Sequence, residues 1–219
     1  MRRLITILIS AIILLGLAAC ATTTSDTAAT KLVTKYDIAL ATVNRSDASM
    51  GRVKAPVADT TLVNKLRYRY EDELIRTIWS ASENGFELTM YNASDKTITI
   101  DWDKGLYLDY DNIGHRLLPS KTKDADKDKV QVPSVVPARG NLVETIYSAD
   151  HVSLSSVMGL YVRNPLLPTD YASAVRYQGK ELKLTLPFSI DGTQVTYDFL
   201  FKITNVRQIA VKKSSFFGL

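Results

Sequence analysis

The chain reads as a mainly β protein whose sheets are antiparallel. Three observations carry this. Apolar and polar residues alternate with period two through Phe86–Met90, Ile98–Trp102 and Leu182–Ile203. Turn signals, Asn92-Ala93-Ser94-Asp95 and Asp191-Gly192, join those runs. There is no long amphipathic helix to serve as a crossover between parallel strands, and no internal repeat.

From the N-terminus, Arg2 and Arg3 precede Leu4–Ala19, an uncharged and mostly apolar run of 16 residues. A spanning helix needs ~20 such residues, and these flanks are those of a secretory leader. The run ends in Leu17-Ala18-Ala19-Cys20, which resembles the lipobox of bacterial lipoprotein signal peptides. The resemblance implies a diacylglycerol on the Cys20 thiol, cleavage between Ala19 and Cys20, and acylation of the new amine. Small Ala18 and Ala19 suit a narrow protease site, and the thiolate is the one strong nucleophile near that end. Two or three acyl chains anchor stably where one binds only marginally. The expected organisation is therefore a signal peptide over residues 1–19, a lipidated tether over 20–30 and a β-sandwich domain over 31–219. Ala21, rather than Asp, after the cysteine directs such proteins to the outer membrane, facing periplasm or surface.

Ala21–Thr30 is small and polar, fit for a tether. Lys31–Val43 is rich in β-branched and apolar residues, hence a first strand, and Asn44–Thr60 reads as a loop. Phe86–Met90 and Ile98–Trp102 read as the two arms of a hairpin. Leu106–Tyr110 and His115–Leu118 are two short strands around Asp111-Asn112-Ile113-Gly114. Lys121–Lys129 is a charged loop. Pro133 and Pro137 give Val130–Arg139 an extended path at a sheet edge. Leu142–Tyr147 is a strand, and Asp170–Tyr177 a short helix with Thr169 as its N-cap. Leu182–Phe188 and Val195–Ile203 form a hairpin around Asp191-Gly192, whose glycine tolerates the positive φ of a type I′ turn. About eight strands on short connections fit an immunoglobulin-like β-sandwich, with a small barrel as the alternative.

Glu71-Asp72-Glu73-Leu74-Ile75, Asn92-Ala93-Ser94, Thr97–Asp103, Asp109 and His115 form a spaced pattern. It resembles that of small bacterial lipoproteins with an immunoglobulin-like fold and no assigned function. The resemblance spans roughly Tyr70–Tyr147 and the final hairpin, and it implies no catalytic residue.

Composition narrows the chemistry. Hydrophobic residues at 46% and charged residues at 23% exclude a disordered polyelectrolyte and a multi-span membrane protein. Lys and Arg (27) are interleaved with Asp and Glu (23), so the net charge of +4 gives no nucleic-acid footprint. Removing residues 1–19 takes two arginines with it and brings the balance to +2. One cysteine excludes an internal disulfide and a Cys-rich metal site.

Asp124, Asp126 and Asp128 open like a calcium loop, but Lys129 and Val135 stand where it needs Gly and Glu. Asp109 and Asp111 supply Gly114 at the right offset, yet Ser120 stands at the closing position. No metal or other cofactor is expected. Asp101 and Asp103 would share one strand face opposite Trp102, where two carboxylates could act as an acid/base pair. His115 and His151 lack a nucleophile motif around them; no Gly-x-Ser-x-Gly elbow or phosphate loop exists. The alternating Tyr68 and Tyr70, and Tyr107 and Tyr110 around Asp109, suit sheet packing before a recognition face. The expected protein is thus not an enzyme. It is a lipid-anchored envelope module for binding or assembly, held to the membrane through Cys20, with an envelope protein or glycan as partner. The alternative is an envelope hydrolase using a carboxylate pair such as Asp101 and Asp103.

Overall fold

The computed structural model describes residues 30–46, 57–59 and 66–212, with backbone alone for 57–59 and Lys212. The leader, Cys20 and the tether through residue 29 lie outside the described residues, as does most of Asn44–Thr60. The chain divides into two compact units, Met1–Lys31 with Lys212–Leu219, and Leu32–Val211. Only Thr30, Lys31 and Lys212 of the first are described, all at strand ends, and the architecture below is that of the second.

Its strands are β1 (Thr30–Arg45), β2 (Val57–Asp59), β3 (Arg67–Glu71), β4 (Ile75–Ser82), β5 (Gly85–Asn92), β6 (Ile98–Ile100) and β7 (Leu106–Leu108). There follow β8 (Gly114–Pro119), β9 (Ser134–Val136), β10 (Asn141–Ser148), β11 (Val152–Leu154), β12 (Tyr161–Arg163), β13 (Glu181–Ile190) and β14 (Thr193–Lys212). The fold is all-β and antiparallel, as the alternation implies. One sheet runs β1-β14-β13-β7-β8-β10-β5-β4-β3-β2, with β6 also on β13 and β9 on β6; β11 and β12 pair by themselves. The sheet curls into a nearly closed, barrel-like sandwich. The corner is turned within β8. His115 pairs with Tyr107 of β7 at one end, and Leu117 with Ser148 of β10 at the other.

The core lies between the two layers. Trp79 of β4 sits 4.6 Å from Phe199 and 5.6 Å from Phe201 of β14, ring centre to ring centre. Phe86 of β5 lies 4.9 Å from Phe201 and 5.5 Å from Tyr107. Tilted and edge-on pairs of this kind add to the large apolar area each ring removes from water. Phe199 and Phe201 are buried, and Leu200 between them faces the other way. The β13–β14 turn has φ of +52° at Asp191 and +80° at Gly192, as expected for type I′. Gly85 is required for space. At φ +155°, a Cβ there would stand 2.6 Å from the Ile146 carbonyl oxygen across the strand pair.

Three expectations are corrected. Phe86–Met90 and Ile98–Trp102 do not form a hairpin: β5 pairs with β4 and β10, whereas β6 pairs with β13 and β9. The cause is Asn92. Its Nδ2 donates to the carbonyls of Lys96 (2.7 Å), Val136 (3.1 Å) and Pro137 (3.0 Å), and its Oδ1 accepts from the Ser94 N–H (3.0 Å). Those bonds arch the chain from one layer to the other. Trp102, second, is not on a strand but opens a 3-10 turn, Trp102–Lys104, capped by Asp101. Third, the N-cap of the helix Tyr171–Ala174 is Asp170, whose Oδ1 accepts from the Ser173 N–H at 2.8 Å, while the Thr169 carbonyl accepts from the Thr34 hydroxyl. The edge position of β9, flanked by Pro133 and Pro137, holds: it pairs with β6 alone.

Candidate functional site

The two histidines, 36 positions apart in the chain, meet at the corner where β8 passes from β7 to β10. Pairing of Leu117 with Ser148 and Leu118 with Tyr147 draws the end of β10 and its following 3-10 turn (Ala149–His151) against β8. Asp109 is fixed first. Its Oδ1 accepts the N–H groups of Asp111 and Ile113, both at 2.9 Å, which is the usual way Asp closes a short loop. Its Oδ2 is thereby presented to His115 Nε2 at 3.2 Å, and His115 Nδ1 lies 3.0 Å from Asp150 Oδ2. The His115 ring stacks on Tyr107 at 5.5 Å, and the His151 ring meets it edge-on at 5.3 Å. His151 Nδ1 is 2.9 Å from Ser148 Oγ.

A neutral imidazole has one N–H, so it can donate to only one of the two carboxylates; the imidazolium donates to both. Burial, then repulsion from His115, pushes His151 below its ordinary value, against the pull of Asp150 and Asp109. At Asp109 burial works in the opposite sense, but the Ile113 N–H, His115 and the Asp111 N–H outweigh it and hold the carboxyl below the usual range. One histidine thus bridges two carboxylates while the other is shifted toward its neutral form beside it.

The arrangement binds the corner of β7, β8 and β10 together, and Ser148 beside His151 is buried. Among the described residues no group of three or more His, Cys, Asp or Glu side chains is disposed to hold a metal ion.

The other sequence candidates are held apart. Asp101 pairs with Lys104 at 2.9 Å, whose hydrogen bond keeps its carboxyl below the usual range. Asp103 Oδ1 takes the Arg116 guanidinium, and its Oδ2 accepts from the Gln131 N–H at 2.8 Å. The two carboxylates therefore do not lie on one strand face, and each is engaged by its own cation. The calcium-like carboxylates are spent singly: Asp124 on Arg163 (2.7 Å), Asp126 on Lys129 (2.7 Å) and Asp128 on Lys127 (2.9 Å). Asp111 is exposed on its loop. Of the tyrosines, Tyr70 and Tyr107 are core, Tyr68 packs against it, and Tyr110 meets Tyr177 in a tilted contact at 4.1 Å. Cys20 lies outside the described residues.

Sequence reasoning did not find two features. A cleft of about 590 Å³ opens between Trp102, Leu142, the Lys121–Lys129 loop and the exposed Val130 and Val132. At its inner wall is Glu144, buried on the inward face of β10; Oε1 accepts from the Ser120 N–H at 2.8 Å, whereas Oε2 has no partner among the described residues. The second feature is the β11–β12 hairpin, whose apolar tip is exposed. No protein-family model, curated protein or solved structure matches the chain.

Proposed function

We propose that the chain is a lipid-anchored protein of the bacterial cell envelope, in which the β-sandwich serves as a non-enzymatic binding or assembly module. The observation that carries this is Cys20, the one cysteine of the chain, standing at the end of Leu17-Ala18-Ala19-Cys20 after an apolar run with two arginines before it. The division of labour supports it. Among the described residues every core residue lies within Leu32–Val211, downstream of the proposed attachment point at Cys20. The charged groups inside the unit support a display role as well, because Asp72, Asp103, Asp109 and His115 spend their polar atoms on neighbouring side chains and on the backbone. Ala21 favours the outer membrane. A two-layer sandwich of this kind, like immunoglobulin-like domains, offers loops and edges to an envelope protein or glycan.

Metabolic labelling with a palmitate analogue tests the anchor. The parent is expected to take up label and migrate as a processed form, and Cys20→Ala to remain unlabelled and unprocessed. Label persisting in Cys20→Ala overturns the proposal.

A further inference from the structure

We infer that the tip of the β11–β12 hairpin is a membrane-inserting loop that seats the domain on an anionic lipid surface. From Val152 to Val162 the chain carries no charged side chain. Val157 at the tip is 93% exposed, and Leu154, Met158, Leu160 and Tyr161 are exposed by between 40% and 64%. Apolar side chains grouped in this way on a soluble face mark a contact surface.

The hydrogen bonds of the turn and the charge beside it favour lipid as the occupant. The Ser155 N–H donates to the Leu160 carbonyl and the Gly159 N–H to the Ser155 carbonyl, both at 2.8 Å, and the Met158 N–H donates to Ser155 Oγ at 3.3 Å. The N–H groups of Ser155, Met158 and Gly159 are thus satisfied within the loop, which lowers the cost of bringing the turn into an interface poor in water. Gly159, at φ +62°, permits that turn and leaves open space beyond it. A stable protein interface takes roughly 20–30 residues from each side. The five exposed apolar side chains of this tip fall well short of that, whereas a few inserted apolar side chains suffice for an interfacial anchor.

The base of the hairpin is rigid and basic. Arg163 bonds Asp124 at 2.7 Å and lies over the Tyr147 ring at 4.0 Å, which ties β12 to the Lys121–Lys129 loop. In that loop Lys121 and Lys123 are exposed and make no ion pair among the described residues. Positive charge behind an apolar tip, with Tyr161 between them, complements anionic headgroups. The inference rests on the proposed envelope location in one respect: it needs a bilayer within reach of the domain.

The test is flotation with vesicles of phosphatidylethanolamine and phosphatidylglycerol, using the chain from Ala21 onward so that no lipid is attached. That chain retains the whole compact unit and its core. The parent is expected to float, and Val157→Asp with Met158→Asp to lower partitioning by about tenfold or more with an unchanged melting temperature. Lys121→Gln with Lys123→Gln is expected to weaken binding several-fold on these vesicles and not on neutral ones. A parent that does not float, or a double-aspartate variant that floats equally well, overturns the inference. So does tip-dependent self-association or protein capture without flotation. Failure here leaves palmitate labelling of Cys20 unaffected, and failure of labelling leaves flotation unaffected, so the two ideas fail separately.

Discussion

The Tyr197 hydroxyl of β14 donates across the sandwich to the Asp72 carboxylate in the β3–β4 turn, at 2.7 Å. Asp72 Oδ2 also accepts from the Tyr70 hydroxyl (3.1 Å) and from Arg45 of β1 (2.9 Å), while Oδ1 accepts the N–H groups of Leu74 and Ile75. A single carboxylate therefore joins three strands and caps a turn. Asp72→Ala is expected to cost ~3–5 kcal/mol, because it strips the buried Arg45 and the Tyr70 and Tyr197 hydroxyls of this shared partner. Tyr197→Phe removes one bond to a charged acceptor and is expected to cost ~1.5–3 kcal/mol. Chemical denaturation of both variants checks the order, and equal costs would mean that Asp72 acts through Tyr197 alone.

The aromatic core gives a sharper number. Phe201, packed on Trp79 and Phe86, is expected to lose ~3–5 kcal/mol on truncation to Ala, out of a typical ~5–15 kcal/mol in total. Leu200→Ala, on the opposite face, is expected to cost much less. A denaturation midpoint insensitive to Phe201→Ala contradicts the register of β14 against β13.

Acid should weaken the corner at β8. The folded state holds His151 below 6.5, so on lowering the pH the unfolded chain takes up this proton first. Stability is then lost progressively as pH falls from about 6.5 toward the lower folded value. Asp109 adds a second loss at lower pH: its contribution is complete above the unfolded value near 3.8 and disappears as pH falls through its depressed folded value. Urea midpoints at pH 7.5 and 5.5 check the first effect. His151→Gln is expected to lose less between those two pH values than the parent, and an identical loss contradicts the assignment.

Calcium is expected to leave the melting temperature of the chain from Ala21 unchanged at millimolar concentration. Asp124, Asp126 and Asp128 each face a cation already, and a ligand for the native state would stabilise it by mass action. An upward shift that Asp126→Ala abolishes contradicts this.

The β13–β14 hairpin and the short β7–β8 pair were legible in the sequence because both depend on local facts, an alternation and the turn that closes it. The arch between β5 and β6 was not. Alternation tells which face of a strand is apolar, but not which layer the strand joins, and the deciding bonds run from Asn92 to Val136 and Pro137, far along the chain. The same holds for the corner cluster. His115 and His151 show no shared motif, and only the β8–β10 register brings them together. Trp102 kept its apolar phase while its backbone wound into a 3-10 turn, since a buried indole satisfies the pattern in either conformation. The uncharged run Val152–Val162 was visible as composition, but its exposure is a property of the fold.

Mass spectrometry of the N-terminal peptide from the protein isolated from bacterial membranes tests the anchored-module reading most directly. The expected species begins at Cys20 and carries a diacylglyceryl thioether together with an acylated amine. A mature chain that begins elsewhere, or one that begins at Cys20 without lipid, contradicts it.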